Sequence, residues 1–312
     1  MTGVGLGSAR RTVAFAGAVL VAAAVGTAPA ADRHVGATAT PRNGLIAFQA
    51  YGDTTKPSDG IYLVNADGSG LHRLARQLPN SAEPRWSPDG TKLLLLTVTK
   101  SAQSLYTIAP DGTSRRFLLS AKPPGRAPGY ASWSPDGRMI AFARGRACGQ
   151  IVCGADLYVL TLATRRIRKV AGNVSGTTPP AWAPDGRRIA YTGGQDGHLY
   201  LTTLKGRSIR IFVGQPGLIA YPSWTPTSQR LAFTIFAAQT RSFVIDADGR
   251  NLHRILHTDD AAVDWSPDGR SLVFARGTRS GDIYVAASDG SHVTRLTDNA
   301  RDETLPDWQP LP

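Results

Sequence analysis

Residues 133–142 read WSPDGRMIAF, a tryptophan set directly against Ser-Pro-Asp-Gly and followed by an apolar run. The stretch has the form of a strand end, a tight turn and a new strand. Pro135 presets φ for the turn, Asp136 bonds back to its own backbone, and Gly137 takes the positive φ that other residues resist. One such turn says little. Its recurrence at a fixed spacing would describe the architecture of the whole molecule.

It recurs. WSPDG stands at Trp86, Trp133 and Trp265, WAPDG at Trp182, and the worn copies WTPTS and WQP at Trp224 and Trp308, which together are all 6 tryptophans of the chain. Successive intervals run from 41 to 49 residues, the range of propeller blades and well above that of leucine-rich or ankyrin units. After each turn comes an apolar strand such as MIAFA, RIAYT or SLVFA. A second follows a loop (IYLVNADG, LYVLTLAT, IYVAASDG), and an Arg-bearing strand closes the unit (LHRLA, RIRKV, VTRLT). Each unit holds four short strands, which is one blade. The ends supply the count. NGLIAFQA at residues 43–50 is a post-turn strand with no tryptophan strand before it, and LPDWQPLP is a tryptophan strand with nothing after it. Joined, they complete one blade and close a ring of six, removing the seam between first and last blades. The predicted fold is therefore all-β, a six-bladed propeller of four-stranded antiparallel blades over residues 43–312. The 42% hydrophobic content of the 312 residues suffices for such a core, and no stretch has a convincing helical apolar period.

WSPDG, the IAF strand, IYxxxxDG and xRLT resemble the WD40-like (PD40) repeat of the TolB-type β-propellers, also found in the propeller domains of prolyl-oligopeptidase-like enzymes. The resemblance covers roughly residues 43–310. It extends to the propeller part of TolB and not to the α/β domain that precedes it there, so the envelope interactions of that extra domain do not carry over.

Residues 1–31 read as a signal peptide. Arg10 and Arg11 precede the apolar run TVAFAGAVLVAAAVG, and small residues in TAPAAD suit cleavage near Ala30 or Ala31. The run is shorter than the roughly 20 residues a membrane span needs. A short linker, residues 32–42, leads into the ring. The expected location is extracytoplasmic: periplasmic, attached to the cell wall or secreted, without stable membrane insertion.

The six tryptophans are expected between neighbouring blades, with the Asp-Gly turns serving strand reversal. Function is sought where the units differ. Two connections per blade vary, and strand alternation puts them on one face, where a rigid ring carrying irregular loops makes a binding surface. Candidate residues at the channel mouth there are Glu83, Tyr130, Tyr221, His257, Asp259, Asp260, Asp302 and Glu303. Tyr130 and Tyr221 stand three residues before a tryptophan. Asp259, Asp260 and Asp264 precede one tryptophan, and Asp302, Glu303 and Asp307 the next. Such a mouth suits a cationic ligand, a peptide or a metal ion. The expected role is non-enzymatic binding of a protein or cell-envelope component. No cofactor is expected, with calcium as the alternative. The competing readings are a calcium-dependent hydrolase of the lactonase or esterase type, drawing on Glu83, Asp259, Asp260, Asp302 and Glu303, and an accessory propeller of a separately encoded peptidase.

The net charge is +12, yet nucleic acid is not the expected partner. Arg73, Arg116, Arg168, Arg210, Arg254 and Arg295 fall on the fourth strand of each unit. Charges distributed round a rim protect sheet edges and do not form a phosphate-tracking stripe. Cys148 and Cys153, in CGQIVC, are the 2 cysteines of the chain. In an oxidising compartment they are expected to form a local disulfide. Their spacing is neither Cys-x-x-Cys nor, without nearby His, a zinc pattern. No G-x-S-x-G or H-E-x-x-H occurs, so no catalytic residue is nominated.

Overall fold

The computed structural model describes residues 42–51, 60–74, 81–99, 102–121, 125–148, 151–212, 217–257, 259–277, 281–299 and 301–311. The leader expected over residues 1–31, and all of the 32–42 linker but its last residue, lie outside them. Arg42 opens the first strand.

Among the described residues, twenty-four strands form six four-stranded antiparallel sheets. The first blade is β1 (Arg42–Tyr51), β2 (Gly60–Val64) and β3 (His72–Arg73). The second is β4 (Ser81–Trp86), β5 (Leu93–Val98), β6 (Gln103–Ile108) and β7 (Arg116–Ala121). The third runs from β8 (Arg126–Trp133) through β9 (Met139–Cys148) and β10 (Ile151–Thr161) to β11 (Ile167–Val174). The fourth holds β12 (Ala181–Trp182), β13 (Ile189–Thr192), β14 (Leu199–Thr202) and β15 (Ser208–Phe212). The fifth holds β16 (Leu218–Trp224), β17 (Arg230–Phe236), β18 (Arg241–Asp246) and β19 (His253–Arg254). The sixth holds β20 (Asp260–Trp265), β21 (Ser271–Arg276), β22 (Asp282–Ala287) and β23 (Thr294–Arg295). The last strand, β24 (Asp302–Leu311), pairs with β1, so the first blade reads β24-β1-β2-β3 and closes the ring as the termini predict.

The repeated turn forms as its residues dictate. Ser134 Oγ donates to Asp136 Oδ1 at 2.5 Å, the Arg138 amide donates to the same oxygen at 3.0 Å, and Gly137 sits at φ 67°. Ser87–Asp89 and Ser266–Asp268 repeat the arrangement at 2.6 Å. In the worn copy, Thr225 and Thr227 share a hydroxyl contact at 3.1 Å, and Ser228 takes the glycine's left-handed place at φ 60°.

Each boundary between neighbouring blades is filled by its own apolar cluster. Trp86 packs with Ile61 and Leu63 of the first blade and Leu93 of the second, Trp182 lies between the third and fourth, Trp224 between the fourth and fifth, and Trp308 between the sixth and first. Trp133 and Trp265 are only partly buried and border their clusters. Two indoles also tie blade to blade by hydrogen bonds: Trp133 Nε1 donates to the Arg85 carbonyl at 3.2 Å and Trp224 Nε1 to the Ala181 carbonyl at 3.0 Å.

Candidate functional site: the channel and its variable mouth

The innermost strands run from the variable face to the Asp-Gly face, and five of the six carry a bulge just before the tryptophan. Register breaks fall at Ala82/Arg85, Pro128/Ala131, Ala220/Ser223, Ala261/Asp264 and, on β1 against β24, Ala47/Gln49. The residue three before the tryptophan is left-handed in four of them: Glu83 and Tyr221 at φ 53°, Ala262 at 53° and Leu305 at 56°. A bulge re-aims a side chain and bends its strand. Here it brings Tyr130, Tyr221, Ala262 and Leu305 to the channel wall.

One residue before the tryptophan lies a second layer, nearer the Asp-Gly face, of Arg85, Ser132, Ala181, Ser223, Asp264 and Asp307. Three of these, Arg85, Asp264 and Asp307, form a half-buried charge cluster on the channel wall. Arg85 Nη1 pairs with Asp307 Oδ1 at 3.0 Å, and the other Asp307 oxygen accepts the Trp86 amide at 2.6 Å. Asp264 accepts Ser223 Oγ at 2.7 Å and the Trp308 amide at 3.2 Å. Burial pushes the Asp307 carboxyl up to about 7; Arg85 opposes the rise and the like charge of Asp264 adds to it. Asp264 is raised too, by burial against the same guanidinium. Two acids that share one Arg in a partly desolvated channel hold a proton more tightly than either would in water.

Glu83 is 4% exposed. Its amide donates to Gln49 Oε1 at 3.4 Å. Neither carboxylate oxygen completes a well-aligned hydrogen bond, although the Tyr130 hydroxyl approaches it. Burial drives its pKa well above the ordinary range, with Arg85 pulling the other way. The Glu83 charge in turn raises the Tyr130 phenol, helped by burial, and burial together with Glu83 raises Tyr221.

Beyond the Tyr130–Tyr221–Leu305 layer the channel widens toward the variable face into a cavity of about 990 Å³. Its wall includes Tyr51, Tyr130, Tyr221, Phe236, Leu96 and Val98, with Asp259, Asp302 and Glu303 on one side. Among the described residues that wall holds no His, Cys, Lys or Arg. A smaller cavity of about 210 Å³ lies on the Asp-Gly side, and Tyr221 and Leu305 border both.

The structure therefore brings Tyr130, Tyr221, Asp259, Asp302 and Glu303 to one mouth, with Glu83 buried beside the two tyrosines. It does not bring Asp260 or His257. Asp260 is fully buried and takes both prongs of Arg276, at 2.6 and 2.9 Å, and the guanidinium lies over the Tyr284 ring. His257 is exposed and outside the cavity wall. Glu303 Oε1 accepts Asn299 Nδ2 at 2.6 Å, and Asp302 Oδ1 accepts the Gly281 amide at 3.1 Å. Among the described residues no three His, Cys, Asp or Glu side chains converge as a metal-binding group. Sequence reasoning missed Arg85, Tyr51 and Phe236. Arg85 had a legible signal, since it occupies the same repeat position as Asp264 and Asp307. Cys148 and Cys153 are joined, with Cα atoms 6.0 Å apart, across the tip of the β9–β10 hairpin.

No family model matches the sequence. The fold is that of the TolB-type propellers. TolB from Acinetobacter baumannii superposes with a TM-score of 0.70 at 20% identity, covering 85% of this chain and 66% of that one. A TolB-type structure from Agrobacterium tumefaciens gives 0.63 at 20% identity, covering 87% and 99%. Among curated proteins, Dipeptidyl-peptidase 5 of Porphyromonas endodontalis is 34% identical over 87 residues, which is 28% of this chain and 12% of that protein.

Proposed function

We propose that this protein is an exported, non-enzymatic binding propeller that receives a cationic segment of a protein or envelope partner in its variable-face mouth. One observation carries the reading: the cavity of about 990 Å³ combines phenol, phenyl and carboxylate groups without a single basic residue among the described wall residues. Its size falls in the range of ligand clefts, and an apolar wall with a few placed polar groups is their usual make-up. Aromatic faces and carboxylates both favour Lys or Arg side chains. The leader read in the sequence supports export, and no helix among the described residues is long and apolar enough to cross a membrane.

The test uses two labelled peptides of equal length, one Lys/Arg-rich and one Asp/Glu-rich, with binding read by fluorescence anisotropy. The basic peptide binds, its affinity falls with salt, and Asp259→Asn with Asp302→Asn weakens it at least about fivefold, the loss of one charged contact. Equal binding of both peptides, or no effect of the variant, overturns the reading. Calcium in the same titration addresses the hydrolase alternative: a rise in the thermal midpoint that the double variant abolishes would favour a cation site at the mouth.

The likeness to Dipeptidyl-peptidase 5 favours the second reading, an accessory propeller of a separately encoded peptidase. Under that reading the purified propeller changes the rate or length preference of such a peptidase on oligopeptides. An unchanged rate removes it.

A further inference from the structure

We propose that the outer edges of the third and fourth blades form a docking surface for a bilayer rich in anionic phospholipid. Although every outer strand carries an Arg, charge is not spread evenly round the ring. Residues 125–212, the third and fourth blades, hold 13 Lys and Arg against 4 Asp, whereas residues 213–312 hold 9 Arg against 12 Asp and Glu. The four acids of the basic sector are all engaged. Asp136 is bonded within its turn, Asp156 takes Arg126 and Lys169, Asp185 takes Arg188, and Asp196 takes the Tyr200 hydroxyl. Arg166, Arg168, Arg207 and Arg210 are exposed and form no ion pair among the described residues.

These arginines alternate with aliphatic side chains turned to solvent. Ile167 is 38% exposed between Arg166 and Arg168, and Ile209 is 59% exposed beside Arg210. Edge protection explains charges on every outer strand but not an exposed isoleucine among unpaired arginines on two neighbouring edges. Leu71 and Leu252 are exposed on the first and fifth blades, without that charge excess around them. A hydrophilic polyanion has no use for the isoleucines. A lipid surface uses both: headgroups attract the arginines, and the aliphatic tips enter the acyl boundary. Adjacent edges of a convex ring touch one flat surface together, so β11 and β15 dock at once.

The test is co-sedimentation of the whole protein with vesicles of equal parts phosphatidylglycerol and phosphatidylcholine, against vesicles of phosphatidylcholine alone. It binds the first and not the second, and about 1 M salt, with a screening length of about 3 Å, releases it. Neutralising Arg166, Arg168, Arg207 and Arg210 to Gln lowers binding at least about a hundredfold, at about fivefold for each basic residue near the surface. Ile167→Ser with Ile209→Ser weakens binding while leaving its salt dependence in place, and Arg250→Gln with Arg270→Gln, on the acidic side, leaves binding intact. A thermal midpoint within a few degrees of wild type for each variant confirms folding. No binding to the anionic vesicles, equal binding by the fourfold variant, or binding to soluble polyphosphate in place of vesicles overturns the proposal.

Discussion

Asp307, on the last strand of the chain, accepts the backbone N–H of Trp86 on the first tryptophan strand, at 2.6 Å. The same carboxylate holds Arg85, at 3.0 Å. The closing blade is thereby tied to its neighbour by a side chain as well as by apolar packing. Asp264 repeats the device on the other flank, where it accepts the Trp308 amide. Asp307→Ala leaves an amide and a guanidinium short of a partner in the channel, a loss of about 3 kcal/mol. Asp307→Asn, which can still accept from Trp86, costs less. Urea midpoints at an unchanged m-value check both.

The same cluster sets a pH dependence. Asp307 is raised from its ordinary 3.8 to about 7 in the folded state, and Asp264 is raised as well. The native state then binds more protons than the unfolded chain between about pH 4 and pH 7, so stability from this cluster falls as pH rises through that window. The turn carboxylates work in the opposite sense at lower pH. Asp89, Asp136 and Asp268 are lowered despite partial burial by bonds from their own turns, so their contribution is lost as pH falls through their folded values. Urea titrations across pH 3 to 8 give a maximum on the acid side of neutrality. Asp264→Asn, which leaves Arg85 one acid to face, flattens the decline toward pH 7.

Glu83 offers a sharper test of burial. Its raised pKa means that the folded protein favours the protonated acid, and stability is lost as pH rises through the folded value. Glu83→Gln keeps shape and hydrogen-bonding capacity without the ionisation. It is expected to leave stability at pH 5 within about 0.5 kcal/mol of wild type and to match or exceed it at pH 8. A large loss at both values would mean that the charged form holds the channel together.

The ring was legible because its signals are local and repeated. The Pro-Asp-Gly turn beside a tryptophan takes one conformation in all four of its copies here, with the glycine at φ 65 to 72°, and the orphan strands at residues 43–50 and 305–310 announce their pairing by what each lacks. The site was legible only in part. Tyr130 and Tyr221 stand out by repeat position, but the left-handed bulge that carries Glu83, Tyr221, Ala262 and Leu305 has no residue signature, since none of the four is glycine or asparagine. Asp259 and Asp260 are adjacent in sequence, and the second turns inward, where it is fully buried against Arg276. Nothing in composition tells these two acids apart; the strand start between them does.

The Cys148–Cys153 bond closes a short ring at a hairpin tip. Chain entropy makes such a ring worth about 2 kcal/mol at most. The Cys148→Ser, Cys153→Ser double variant should therefore unfold cooperatively at a slightly lower urea midpoint, with basic-peptide binding unchanged. A collapse of the whole fold would show that the hairpin is coupled to the ring more tightly than its pairing with β11 and β8 implies.

Asp259 and Asp260 make the last distinction. Asp259 lines the mouth, whereas Asp260 holds Arg276 by two bonds inside the sixth blade. Asp260→Ala removes both bonds to a part-exposed guanidinium seated over Phe274 and Tyr284, at a cost of about 2 kcal/mol. Asp259→Asn changes stability by less than about 0.5 kcal/mol, since its side chain meets the cavity and not the core. For the Lys/Arg-rich peptide the order reverses. Asp259→Asn weakens binding, and Asp260→Ala, measured well below its lowered melting temperature, does not. If Asp260→Ala abolished binding in a protein still shown folded by circular dichroism, the mouth would have to extend under β20, and the boundary drawn between framework and site would be in the wrong place.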